Sequence, residues 1–428
     1  MQIVLRLALS IVLLFGSLAA MASLKQPDRL DETAEQFIIL ALQLGKYDKD
    51  YVDAYYGPRR LRKLAEEAPG DQQTLTIAID RLYEDVQRYR PWNNLNRARH
   101  SALLKNIRAM HTRMRMINGE TLSFRDEARL IYDVKLPRYE FADFDKTLQK
   151  ISNLMGNPEN LIAAVDAYRN SLTIPEDVLT QVVETALEEC RLRTKKYIDL
   201  PEDERFRLEY VTDTNWGGYN WYQGDNESLM QINMDFPMRI DRAVSLGCHE
   251  GYPGHHVWNV LVENELYKNG WQEFSLIPLF SPFGLIAEGS AKYGVQLAFP
   301  GNEKLLYEQQ VLYPMARLDP AEAEKLAELN RLTAELSHSS IAIAELYLDG
   351  EISRDEAITM RQKYSLVSRD RAEKSIRFTE QYRAYVVNYS LGEDILGNYI
   401  ERRAKAPKER WELFVDLLTR LKTASDLR

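Results

Sequence analysis

Apolar residues recur at helical spacing along most of the chain. Over 33–44, Phe37, Ile38, Leu40, Ala41 and Leu44 share one face and predict an amphipathic helix. Residues 95–116 predict a long basic one. Ile174-Pro175 interrupts the pattern, and a second long helix is expected to run to about residue 197. Asp319-Pro320 followed by Glu322 reads as a capped helix start, predicting a helix over 320–348 that stops at Gly350. Ser353 with Glu356 forms a capping box, and 283–299 is a further helical stretch.

The period changes once. In the glycine- and aromatic-rich tract 207–236, Met230, Ile232, Met234 and Phe236 alternate with Gln231, Asn233 and Asp235. A period of two predicts a strand over 230–236, part of a small hairpin sheet. The fold class expected is therefore mainly α, a large multi-helix body with a small β element. We divide the chain at 23–236 and 237–428, with a single compact body equally compatible.

Composition adds limits. The chain has 428 residues and 45% hydrophobic content, enough for a sizeable core. A net charge of -9 argues against nucleic acid, which needs a basic footprint. Residues 1–22 read as an export signal: Arg6, the apolar run 7–18, then Ala20-Met21-Ala22. Cleavage after Ala22 predicts a periplasmic or secreted protein. No later stretch is long and apolar enough to span a membrane. The two cysteines, Cys190 and Cys248, exclude a disulfide framework; Cys248 is expected to be a small buried hydrophobe, with a single Cys190–Cys248 bridge as the less favoured alternative.

Three of six histidines fall in one octapeptide, His249-Glu250-Gly251-Tyr252-Pro253-Gly254-His255-His256. Ile240, Ala243, Val244, Gly247 and Cys248 upstream predict a buried helix running into it. Two imidazoles beside a glutamate are the donor types zinc takes, with the glutamate as general base. On a straight helix, however, residues six apart are separated by about 9 Å and point in different directions. Pro253 removes the hydrogen bond to the carbonyl of His249, and Gly254 frees the backbone. A bulge there is expected to return the second histidine to one ion, His255 being preferred and His256 the alternative. Glu288 is the expected third ligand, because Gly289, Ser290 and Ala291 would let its helix approach the histidine helix closely.

These residues resemble a known group. His249-Glu250-x-x-Pro253-Gly254-His255-His256, then Glu288-Gly289-x-Ala291-x-Tyr293, is similar to the bacterial domain-of-unknown-function 885 family. That family is zincin-like and related to helical metallopeptidases such as the carboxypeptidase Taq family. Tyr389-Ser390-Leu391-Gly392 resembles a further segment of it. Ser290 departs from the family's usual tryptophan. The resemblance covers about 229–399 and implies a zinc-dependent hydrolase acting on a peptide or other small amide, with one Zn2+ ion. Glu250 would be its base. Tyr389 and Tyr293 (by resemblance) and His256 (by proximity) are candidates to stabilise the oxyanion. An inactive binding protein and a hydrolase of non-peptide amides or esters are the alternatives. Trp216, Tyr219, Trp221 and Tyr222 are candidates to line a cleft. A strand over 230–236 beside the metal could receive an extended substrate. His338 is expected to be a packed polar residue, and His100 and His111 to be solvated.

Overall fold

The helical periodicities become helices. In α1 (Arg29–Leu44) the buried residues Leu30, Ala34, Phe37, Ile38, Ala41 and Leu44 form one stripe. The chain then forms β1 (Val52–Tyr55), and α2 (Asn94–Ile117) starts where the Asn93 side chain accepts from the Asn96 amide. Further helices intervene before α3 (Glu176–Lys195), which starts immediately after Pro175. The computed structural model describes residues 29–68, 70–91, 93–213, 218–235 and 237–427. The expected signal, Trp216 and Phe236 lie outside the described residues. The fold is mainly α.

The tract of period two forms a three-stranded sheet of β2 (Arg205–Val211), β3 (Gly218–Gly224) and β4 (Glu227–Asn233), in the order β2-β4-β3. Met230 stands opposite Leu208 of parallel β2 and Asn220 of antiparallel β3. Ser228, Met230 and Ile232 face inward, as the alternation requires. The strand ends earlier than the pattern implies. Asn233 accepts from the amide of Asp235, which turns the chain at that point. The sequence placed the edge on the wrong strand: β4 is paired on both sides, and β2 and β3 are the edges.

The chain continues through α4 (Ile240–Leu246), a π-helical turn (Gly247–Gly251) and α5 (His255–Val262). β5 (Leu276–Pro278) pairs antiparallel with β1, and α6 (Pro282–Ala298) follows. The helix expected over 320–348 divides into α7 (Ala323–Glu335) and α8 (Ser339–Leu348). At the junction the amides of Ser337 and Ser339 bond Ala334 O and Leu336 O, three residues back, and this tighter turn separates the two helices. His338 stacks on Tyr139 and pairs with Asp394 at 2.8 Å. The capping box starts α9 (Arg354–Ser365), and α10 (Arg369–Tyr382), α11 (Val387–Arg403) and α12 (Pro407–Thr419) complete the body. His100 and His111 are packed rather than solvated. His100 bonds the Val86 carbonyl at 2.7 Å, and His111 stacks on Tyr83 beside Asp80.

One core runs from Leu30 to Leu427 and joins residues on both sides of the 236/237 division. A second gathers Phe144, Ile151 and Val165 with Leu329, Ile343 and Ile376. No described helix is long and apolar enough to cross a membrane.

Two close approaches fix the helices around the histidine segment. A Cβ on Gly247 would lie 3.0 Å from the Leu187 Cα of α3. That proximity brings Cys190 and Cys248 together with Cα atoms 5.4 Å apart, and they form a disulfide. The expectation of an unpaired Cys248 is thereby corrected; sequence spacing carried no information on this crossing. On the far side of α6, a Cβ on Gly289 would meet the Gly392 backbone of α11 at 2.4 Å. So Gly289 serves the α6–α11 crossing. Contact with the histidine segment falls instead to Gly294, where a Cβ would lie 3.0 Å from the Pro253 ring.

Gly289→Ala should therefore lower stability by about 1–3 kcal/mol, because backbone rather than a flexible side chain blocks the new methyl. Thermal denaturation checks this; an unchanged midpoint would show that the crossing yields freely.

Candidate metal centre

The π-helical turn carries His249 and Glu250, and the helix then breaks. Tyr252 donates its amide to Gly247 O at 3.2 Å, and Gly254 donates to Cys248 O at 2.9 Å. The Tyr252–Pro253 bond is cis. Helix α5 restarts at His255, and the Trp258 amide bonds Gly254 O. Position 254 admits only glycine: a Cβ there would sit 1.7 Å from His249 O. The expected break is present, and it folds His255 back onto His249, their ring centroids 4.7 Å apart at 89°.

Glu288 completes the group. Its Oε2 lies 3.5 Å from His249 Nε2 and 3.9 Å from His255 Nε2. Ligands held at ~2.1 Å in a tetrahedron stand about 3.4 Å apart, so these three atoms fit one ion with small adjustments. One ligand atom from each residue lies within 4.8 Å of the others, and the group can hold a metal ion. Glu288 Oε1 accepts from the Tyr385 hydroxyl at 3.0 Å, whereas Oε2 is buried with no hydrogen-bond partner. An unsatisfied buried carboxylate oxygen beside two imidazoles is what a cation site requires.

Electrostatics follow the geometry. Burial alone would push the Glu288 carboxyl up, yet His249, His255 and Tyr385 hold it down at about 2. Burial would push the His249 imidazole down, but Glu288 and Glu250 raise it above its ordinary value. Glu250 reaches within 4.0 Å of His249 Nε2. Its backbone carbonyl accepts from the Asn220 side chain of β3 at 2.8 Å.

The cluster lines a cavity of about 570 Å3, walled by Tyr219 and Trp221 of β3, Trp258 of α5, Phe283 of α6, and Tyr385 and Tyr389. Tyr389, Glu250, His249, His255 and Glu288 are thus brought together. Tyr293 and His256 are not. Consecutive helical residues point about 100° apart, so only one of His255 and His256 can face the cluster. His256 turns inward between Ser228 and Glu204, at 2.9 Å from each. Tyr293, five residues after Glu288 on α6, lies on another face and donates to Glu401 at 2.7 Å. Tyr222 also turns away, bonding Glu263.

Sequence reasoning missed Tyr385 and Asp53. Tyr385 precedes Tyr389 by four positions, a spacing that could have flagged it. Asp53, on β1, lines the cavity and accepts from the Tyr219 hydroxyl; burial raises its carboxyl above the usual value. Its only signal is its place in the fold. Two nearby arginines are already paired, Arg239 with Asp241 and Arg383 with Glu127.

No protein-family model matches the chain, and no curated protein does. Among solved structures, it is similar to one described as a putative lipoprotein from Colwellia psychrerythraea. The TM-score is 0.52 and the identity 13%, covering 82% of this chain and 66% of that one. A structure described as BsuCP gives a TM-score of 0.46 at 12% identity, covering 92% of this chain and 88% of that one. The likeness to the first concerns the fold alone.

Gly254→Ala should separate the two histidines and abolish stoichiometric metal retention while the helical content, read by circular dichroism, persists. A variant that still binds one ion per chain would show the break is not needed.

Proposed function

We propose that this protein is an exported zinc-dependent hydrolase of the metallopeptidase type. The observation that carries the reading is the convergence of His249, His255 and Glu288 beside Glu250 on a cavity large enough for several residues of substrate. Two imidazoles and a carboxylate suit zinc. The motif's resemblance to a zincin-like family supports the same reaction class. The Cys190–Cys248 bridge supports an oxidising compartment, in keeping with the expected signal.

His249, His255 and Glu288 would hold the ion. When bound, zinc acidifies water toward a pKa of ~7 and polarises a carbonyl. The chain's own groups do the rest. Glu250 makes no side-chain hydrogen bond among the described residues and takes the proton of the attacking water, later passing it to the leaving amine. Tyr389 donates to the carbonyl oxygen as negative charge grows. Burial, with Glu288 nearby, keeps its hydroxyl protonated well beyond neutral pH. Tyr385 is committed to Glu288 and is a positioning residue. An extended peptide pairs with the edge of β3, whose Tyr219, Asn220 and Trp221 line the cavity.

Metal analysis of the purified chain should find about one zinc, lost in His249→Ala and weakened in Glu288→Ala. Glu250→Gln should keep the ion and lose about 10²–10⁴-fold in peptide hydrolysis. No zinc after incubation with it, or full activity in Glu250→Gln, would overturn the reading.

Metal uptake should also depend on pH. The raised His249 holds its proton to higher pH than a free imidazole, and ligation needs the ring neutral. Occupancy at limiting zinc should therefore fall as pH is lowered from about 8 to about 5.5. A flat profile would remove His249 from the ligand set.

A further inference from the structure

A second cavity, of about 290 Å3, lies between α8, α9, α10 and α11. Arg361 of α9 lines it and is only part-exposed. Its Nε donates to Ser375 Oγ at 2.8 Å and its Nη1 to Ser340. Both partners are neutral. Among the described residues no carboxylate stands within ion-pair distance of it. A guanidinium has five donors, and two hydrogen bonds leave most of them free. Burial with no opposing charge pushes this group down to about 10.

The remaining lining is equally specific. Ser337, Ser340, Ser375, Ser390 and Thr379 supply hydroxyls, and Lys292 adds a second cation. Lys292 pairs with Glu393 at 3.6 Å. Taking a guanidinium out of water without a counter-charge is costly, and a chain that tolerates it has the means to receive an anion. Arginine surrounded by hydroxyls matches a carboxylate or phosphate group, whose oxygens accept paired N–H and O–H bonds.

We infer that the Arg361 cavity is a binding site for a small oxyanion, separate from the metal cluster. Tyr389 and Phe378 line both cavities, so the two sites share a wall. The site does not depend on the metal reading, because none of its anion-binding groups is a metal ligand.

Titration calorimetry of the full chain, stripped of metal with a chelator, tests this with inorganic phosphate and with acetate. One saturable site is expected. Arg361→Met should weaken it about ten-fold or more, and His249→Ala should leave it unchanged. Should Arg361→Met fail to fold, Lys292→Met should weaken binding about three-fold. No saturable binding of either anion, or unchanged affinity in these two variants, overturns the inference. A peptide that binds through Arg361 as the free acid but not as its C-terminal amide identifies a chain terminus as the source. Phosphate binding without that difference identifies a free anion. Either result upholds the site.

Discussion

The candidate metal centre depends on one backbone constraint, the break between Gly251 and His255. A continuous helix would hold two imidazoles six positions apart about 9 Å along its axis. Here the π-helical turn widens the helix, Pro253 leaves the His249 carbonyl without an amide partner, and Gly254 passes so close to that carbonyl that no side chain fits. The neighbours are shaped to the break. Gly294 of α6 makes room for the Pro253 ring, and Gly247 lets α3 close over the turn, where the Cys190–Cys248 bridge ties the two together. The two histidines meet because four glycine and proline positions on two elements remove the atoms that would keep them apart.

Charge is arranged with the same economy. Glu288 is buried, and a buried carboxylate is costly unless paired. It has two imidazoles and one phenol around it, but one oxygen still lacks a hydrogen-bond partner. Glu250, a second carboxylate, is only 4.0 Å from the shared histidine. A divalent cation among these groups would answer both the unsatisfied oxygen and the crowding of acidic groups.

Much of this was legible in the sequence. Periodicity found the long helices, and cap chemistry placed the start of α9. Rare residues at fixed spacing singled out His249, Glu250, His255 and the need for a break. Periodicity reports which face of an element is buried, but not what covers it. That is why β4 was read as the available strand although β2 and β3 flank it. It is also why Gly289 was assigned to the histidine segment although it meets Gly392, and why Cys190 and Cys248 were read as unpaired. Proximity in sequence misled for His256 and Tyr293, since helical rotation carries each to another face.

The least readable part, the N-terminal half, contributes directly to the centre. Glu127 is fully buried there and holds the start of the turn at 383–386, accepting from Arg383 Nε at 2.7 Å and the Ala384 amide at 3.1 Å. Arg383 has a positive φ, 50°, a conformation a non-glycine residue keeps only when its surroundings enforce it. Two residues later the chain presents Tyr385, whose hydroxyl orients Glu288. Asp53 reaches the cavity from β1, and β1 is itself held by β5 just ahead of α6. A carboxylate more than 120 positions before the histidine motif thus holds the tyrosine that positions Glu288. Splitting the chain at 236/237 would break that line of support, so the motif alone does not make the site.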